Sequence, residues 1–559
     1  MAPVNDGIWE VIQNEGGNSG IPVTAEEDPK SATLGRLAKG AFVQQLAPPV
    51  GSRHSTGRRL QFSKLSGGGP DKGWITTSHY TKDFVARNYD FEAKDLQPHV
   101  NEAPPPDVPS GSSRPFDIVV YGATGFTGTL AVEHLDAVLS SSGKRCSWAL
   151  AGRTLAKLRA LSARCKTKPP VIEAREDEEL SKLAACTRVL LAAAGPYQRC
   201  GEAVVKACVE QGTHYVDVTG EIVWVHDIIK KYHAAARKRG VMVVQCAGQI
   251  CTIDEINLYL LTQKLGALKH FREYFYQYGD TTGGTLDTNI ATYQGMTNDG
   301  LKVLRNPFCL GGKRRGGMRA EDADCTVAEQ DPLFPSLWLQ TAYSTPTGSR
   351  ILRRSSELFD EDDASGLRYG DELVVTIREG VASQRAAQQQ IEMTKAPADV
   401  DSAKVIAASM VSGVMAGQAP KPGQGPPVAT REMYYSEAFA VAESERGAFA
   451  HVRYTGPEAY EATAICCVSA AMTLAEEIDR LKPTTRGGVL TPAFAFHGST
   501  FVERLQAHAF ADRGGRKLSF KVADGKPSED ELKEAMKSKM KNASVGQADI
   551  FQGKYKKFE

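Results

Sequence analysis

Gly122, Gly125 and Gly128 recur at a spacing of three in the run DIVVYGATGFTG, residues 117–128, between an apolar β-branched stretch and a helix-forming one. A glycine triplet alone marks many kinds of turn. Between a strand and a helix it allows a tight turn and lets backbone N–H groups approach a pyrophosphate, whose charge the helix amino terminus favours. Thr124 and Thr127 add hydroxyl donors and Phe126 completes the turn, so dinucleotide binding is the chemistry expected here. The competing reading is a packing turn with no ligand.

Sites for NAD usually end the second strand with an acid that bonds the ribose 2'-hydroxyl. Here the second strand ends Ala151-Gly152-Arg153-Thr154, which offers a guanidinium to the 2'-phosphate of NADP(H) instead. A charge-assisted bond of about 1.5–3 kcal/mol corresponds to a preference for NADPH over NADH of roughly 10- to 100-fold. Further on, Ala194-Gly195-Pro196-Tyr197 follows a third apolar run, and Tyr215, Asp217, Thr219, Gly220 and Glu221 follow close behind. Glycine before proline lets the chain pass beside a planar ring, so Gly195 and Pro196 are expected to flank the nicotinamide or its ribose, with Ala194 also among the cofactor-binding residues. Tyr197 and Glu221 are then the nearest titratable groups and the candidate catalytic residues. Tyr197 reads equally as a packing residue, and Glu221 as a cap on the helix that follows it. None of the 18 tyrosines has a lysine four residues later, which disfavours the tyrosine–lysine proton relay of short-chain dehydrogenases.

These residues need a frame that gathers strand ends. Apolar runs at 117–121, 147–151, 188–194, 214–218 and 241–245 alternate with helical patterns at 127–141, 154–165, 200–212 and 223–240. Continuous apolar strands separated by helices predict a parallel sheet covered on both faces, with ligands at the carboxyl ends of its strands. The fold class is therefore α/β: a Rossmann-type doubly wound parallel sheet over 116–246, then a second α/β domain with a mixed sheet over 247–460. Residues 461–481 read as one long apolar helix, opening a segment at 461–512 that returns to the nucleotide domain. Ser528 and Glu531 form a capping box in the Lys-rich tail, 513–559. Residues 93–115 are a Pro- and Ser-rich linker. Residues 1–92, with Trp9 near the start and Gly73-Trp74-Ile75 near the end, read as a small all-β, barrel-like accessory module. It resembles Src-homology-three-like barrels and has no assigned ligand.

A net charge of +1 gives no bulk attraction to nucleic acid or anionic membrane. No run of 18 apolar residues predicts a spanning helix. The run at 405–417, VIAASMVSGVMAG, is expected to be a packed helix, with a shallow membrane contact as its alternative. Eleven cysteines without a C-x-x-C pair, and an amino terminus without signal-peptide features, point to the cytoplasm or another reducing compartment and to no metal site.

The chain resembles the saccharopine dehydrogenase-like oxidoreductases, and within them the branch containing the trans-acting enoyl reductases. The resemblance covers about 117–510 and rests on YGATGFTG, the AGR at 151–153 and the block AGPYQRCGEAVVKACVEQGTHYVDVTGE at 194–221. It continues through GGTLDT (283–288), SRILRRSSEL (349–358), KPGQGP (421–426) and RGGVLTPAFAFHGSTFVERL (486–505). The resemblance implies NADP(H), a second domain that supplies substrate and often dimer contacts, and reduction of lipid or polyketide double bonds in some members. Where relatives read GFDSIPSDLG, this chain has GQICTIDEIN from Gly248 to Asn257. A different substrate or a lost activity would follow if that loop touches substrate. The function expected is an NADP(H)-dependent reductase of an enoyl or related group on a small-molecule or acyl-type substrate. The alternative is a catalytically idle dinucleotide-binding protein that recruits a partner.

Overall fold

The computed structural model describes residues 114–537, apart from 144–145, 313–316 and 482–485, together with strand segments between Ile8 and Arg87. The expected linker lies almost wholly outside the described residues, as does the tail beyond 537. The chain divides into two compact units. In the amino-terminal unit, strands β1 (Ile8–Val11), β2 (Ile21–Thr24), β3 (Thr33–Leu37), β4 (Phe42–Gln45), β5 (Arg58–Ser66), β6 (Lys72–His79), β7 (Lys82–Asp83) and β8 (Val85–Arg87) form one sheet. Its order is β3-β2-β6-β5-β4-β1-β8, with β7 on β6, and every pairing is antiparallel.

The larger unit is α/β and contains two seven-stranded sheets. The first collects β9 (Phe116–Tyr121), β10 (Trp148–Gly152), β11 (Val171–Glu173), β12 (Thr187–Ala192), β13 (His214–Asp217) and β14 (Met242–Val244) in the order β11-β10-β9-β12-β13-β14. All neighbours are parallel. Ile118, Val119 and Val120 are fully buried because both faces are covered. The covering helices are α1 (Phe126–Ser142), α2 (Leu155–Arg164), α3 (Asp177–Ala185), α4 (Tyr197–Gln211) and α5 (Ile222–Lys238). The order reverses between β9 and β12, and a crevice for ligand opens at such a switch point.

Helix α6 (Gln249–Leu265) leads from this sheet to β15 (Leu268–Tyr278) of the second. The second sheet also holds β16 (Glu329–Gln330), β17 (Trp338–Thr341), β18 (Val374–Val381), β19 (Tyr435–Ser444) and β20 (Phe449–Gly456). It is mixed, because β15 runs parallel to β18 and antiparallel to β19. Around it lie α7 (Gly283–Gln294), α8 (Asn298–Arg305), α9 (Thr345–Glu361), α10 (Gln384–Thr394), α11 (Val400–Met415) and α12 (Val428–Arg431). In α11 only Ala403 and Ala407 are buried, while Val405 is 68% and Met415 82% exposed. The expected packed helix therefore packs through a narrow alanine stripe, since small residues let α11 sit close to α7.

The chain then returns to the first sheet. Helix α13 (Ala459–Glu476) has Ala464 through Ala475 buried and packs against α1, β12 and β13. It stops at Glu476 where a continuous helix to 481 was expected; a short separate helix, Ile478–Leu481, follows. Strand β21 (Gly488–Leu490) extends the parallel sheet beside β14, and β22 (Ser519–Asp524) completes the second sheet against β20. Ser528 Oγ accepts from Glu531 N, and the Glu531 carboxylate accepts from Ser528 N, which closes the capping box. No helix among the described residues is long and apolar enough to cross a membrane.

Candidate active site

Two turns meet at the switch point. Gly122 has φ +76°, and a Cβ there would lie 2.7 Å from Ala194 N and 2.8 Å from Ala194 Cβ. Ala193 N donates to Tyr121 O at 2.8 Å, which fixes the end of β12 beside that of β9. A Cβ at Gly128 would overlap the Gly122 carbonyl, whereas one at Gly125 would sit 3.3 Å from it. The first and third glycines are thus demanded by backbone lying on backbone. Helix α1 starts behind Gly125 with no side-chain cap and no acid in its first turn. Its leading N–H groups and positive dipole end are available to an anion. Thr124, Phe126 and Thr127 are half-buried around it.

The second sheet's segments close on this turn. Phe126 meets Tyr460 edge-on at 5.6 Å and lies 5.6 Å under the Arg431 guanidinium. A Cβ on Gly425 would overlap the Phe126 ring, so the KPGQGP segment passes directly over it. Gly283 N donates to Gln424 O at 2.9 Å, and a Cβ on Gly283 would overlap the Lys421 carbonyl. The segments GGTLDT and KPGQGP therefore interlock above the nucleotide turn. Tyr460 Oη accepts from Thr282 N at 3.0 Å and bonds Thr285 Oγ1 at 2.7 Å, which anchors the start of α7.

Arg153 follows β10, is exposed, and has no ion-pair partner among the described residues. Gly195 is exposed, and Pro196, after a cis peptide bond, is the N-cap of α4. Thr288 Oγ1 of α7 would lie 3.4 Å from a Cβ on Gly195, and Asp287 pairs with Arg199 at 3.3 Å. Ala194 and Gly195 thus sit between the nucleotide turn and α7.

Tyr197 and Glu221 lie behind this turn. The Tyr197 hydroxyl donates to Ala192 O at 2.9 Å and accepts from Val218 N at 3.3 Å, joining the ends of β12 and β13. Its ring packs on Trp224 at 5.2 Å, and burial pushes its pKa well up. Glu221 accepts Tyr197 N at 2.7 Å and Gln198 N at 2.8 Å. Burial raises its pKa against the opposing pull of those two N–H groups. The Glu221 carboxylate therefore caps α4, the helix that precedes it, while its backbone carbonyl accepts Val225 N at 2.9 Å at the head of α5.

Asp217 is a structural centre that the sequence reading left without a role. Fully buried, it accepts Thr219 N at 3.1 Å and Cys246 N at 2.9 Å, and burial pushes its pKa up to about 7. Cys246 has φ +59°, an unusual conformation for a residue with a Cβ. Thr219 Oγ1 accepts Glu221 N at 3.1 Å, so DVTGE (217–221) braces the exits of β12, β13 and β14. Acids and hydroxyls interrupting an apolar strand end were the available signal. Residues 248–257 form the N-cap and first turns of α6, not a loop. Gln249, Asp254, Glu255 and Asn257 are all buried there.

Residues 118–244 match the saccharopine dehydrogenase NADP-binding domain family. A Mycobacterium tuberculosis protein named, provisionally, as a trans-acting enoyl reductase is 29% identical over 430 residues, 71% of this chain and 97% of its own length. A trans-acting enoyl reductase of Mycobacterium ulcerans is 28% identical over 427 residues, with the same coverage. Among solved structures, the apo saccharopine dehydrogenase (L-Glu forming) of Saccharomyces cerevisiae aligns at 14% identity and a TM-score of 0.38, covering 73% of this chain and 100% of its own.

Proposed function

We propose that the chain, whose residues 118–244 match the saccharopine dehydrogenase NADP-binding domain and which is 29% identical to a protein named provisionally as a trans-acting enoyl reductase, reduces the C=C bond of an enoyl group on a lipid- or acyl-type substrate. The residues fit the cofactor: the glycine turn excludes side chains, the start of α1 is uncapped, and Arg153 is unpaired among the described residues. NADPH supplies the hydride when bound. Gly122 through Gly128 hold the pyrophosphate, Arg153 the 2'-phosphate, and Ala194, Gly195 and Pro196 flank the nicotinamide.

The observation that carries the reading is the close approach of Thr288 Oγ1, on α7, to the exposed Gly195, which sets the second sheet's segment directly beside the turn that would hold the nicotinamide. Thr288 orients the substrate there. Tyr197 and Glu221 hold the turn from behind and are positioning residues, because their polar atoms are bonded to backbone. That occupancy also favours a second reading, a binding protein without turnover.

Stopped-flow oxidation of bound NADPH against enoyl thioesters and imines separates the two. Turnover of an enoyl thioester is expected. Tight NADPH binding with no turnover of any substrate would establish the idle reading.

A further inference from the structure

The edge of the parallel sheet carries an arginine with no role so far. Arg175 follows β11, the strand beside β10, in the stretch Glu173-Ala-Arg-Glu-Asp-Glu-Glu179. Ala174 N donates to Gly152 O at 3.1 Å, and Arg175 Nε donates to Arg153 O at 2.8 Å. Arg175 N is held in turn by Glu179 at 2.7 Å. The guanidinium is thereby fixed against the backbone of the very residue that offers its own side chain to the 2'-phosphate.

Its second partner matters more. Glu173, the last residue of β11, sits in register with Gly152 and pairs with Arg175 at 2.6 Å. NAD sites bond the ribose 2'-hydroxyl with an acid at the end of the second strand; Glu173 ends the strand paired to it, opposite Gly152, and a carboxylate so near repels a 2'-phosphate. Glu176, Asp177, Glu178 and Glu179 add negative charge in the same stretch, and Arg175 is its only cation. Arg153 alone would present the phosphate with a single guanidinium beside an uncancelled carboxylate.

We propose that Arg175 is a specificity-determining residue for the 2'-phosphate, cancelling Glu173 so that the corner beside Arg153 accepts NADP(H) and not NAD(H). The inference rests on the cofactor reading above and adds its discriminating half. Freed from Arg175, Glu173 would be available to a 2'-hydroxyl, so the substitution raises relative affinity for NADH as it weakens NADPH.

Equilibrium titration of the full chain with NADPH and with NADH, followed by nicotinamide fluorescence, needs no turnover. For Arg175→Ala, NADPH affinity should fall about 10-fold as the repulsion between Glu173 and the 2'-phosphate is restored, with NADH unchanged or tighter. Glu173→Gln in the Arg175→Ala background should restore most of the NADPH affinity. Unchanged unfolding temperatures show that each variant folds, as exposed side chains allow. A wild-type NADPH preference that survives Arg175→Ala, or that Glu173→Gln fails to restore, overturns the inference alone. Equal wild-type affinities overturn the cofactor reading and the inference with it.

Discussion

The Glu221 carboxylate holds the backbone amide of Tyr197 at 2.7 Å, and with the neighbouring Gln198 amide it closes the amino terminus of α4. A carboxylate reaching back from the end of β13 thereby sets the turn that precedes α4. The same turn carries the exposed Gly195. Position, and not proton transfer, is what these bonds can supply.

Glu221→Gln keeps one acceptor and should leave the pH profile of kcat/KM unchanged, with a modest loss in rate. Glu221→Ala removes both acceptors from a buried cap and should cost about 1.5–3 kcal/mol of stability, the worth of bonds to a charged group. Tyr197→Phe should cost roughly 1 kcal/mol and likewise leave the pH profile alone. Loss of a single limb of the profile in either conservative variant would show that the residue moves a proton.

The nucleotide turn was legible in the sequence because its requirement is local: Gly122 and Gly128 must lack a Cβ wherever such a turn packs on itself. The place of Arg153, directly after β10, was legible for the same reason, while its hold on a 2'-phosphate is part of the proposal. Arg175 was not, because β11 is only three residues, Val171 and Ile172 half-buried and Glu173 exposed, too short to show a periodicity. The roles of Asp217 and Glu221 depend on amides 29 and 24 residues away in the chain, at Cys246 and Tyr197 respectively, and no spacing rule reveals which amide a carboxylate reaches. At 248–257 the helix begins one residue past Gly248, so a difference from relatives that read as a changed loop falls largely on buried side chains.

The glycines of the turn should differ in tolerance. Gly128→Ala places a methyl on the Gly122 carbonyl and should abolish NADPH binding, since either the turn or α1 must shift. Gly125→Ala meets that carbonyl at 3.3 Å and should fold with a smaller loss of affinity. Gly283→Ala should disturb the interlock with Lys421 and raise KM for the second substrate more than it weakens NADPH. Titration and initial-rate measurements on the three variants check the order. Equal effects at positions 125 and 128 would count against it.

On the acid side, stability should depend on His134. Its ring is buried, stacks on Phe510 at 5.9 Å, and accepts Ala511 N through Nδ1 at 3.0 Å, which requires the neutral form. Burial pushes its pKa from 6.5 to about 4. A depressed folded-state pKa means that the unfolded chain binds the proton first, so the contribution is intact above pH 6.5 and lost as pH falls through 4. Its size is roughly 3 kcal/mol at the difference of 1.36 kcal/mol per pH unit. Thermal unfolding from pH 7 to 4 should fall less steeply for His134→Gln than for the wild type.

On the alkaline side the controlling pair should be Asp254 of α6 and Glu273 of β15. Both are fully buried, and Asn257 Nδ2 donates to Glu273 Oε1 at 3.1 Å. Asp254 fits against Gly348 of α9, where a Cβ would collide with its carboxylate. No lysine or arginine pairs with either acid among the described residues. Burial raises both pKa values, and at Asp254 the charge of Glu273 adds to it. Two carboxyls without a counter-charge share a proton more readily than they ionise together. The folded chain thus keeps a proton that the unfolded chain releases above about pH 4, and the stability it gives is lost as pH climbs through the raised values. Asp254→Asn keeps the shape, donates to Glu273 and removes one charge. Its unfolding temperature should therefore decline less steeply from pH 6 to pH 9 than that of the wild type, the other buried acids being common to both. Glu255 does not blur the comparison, since it remains in both proteins with its own bonds to Ser355 and Ala493 N. Parallel pH curves for the two proteins would exclude the shared proton.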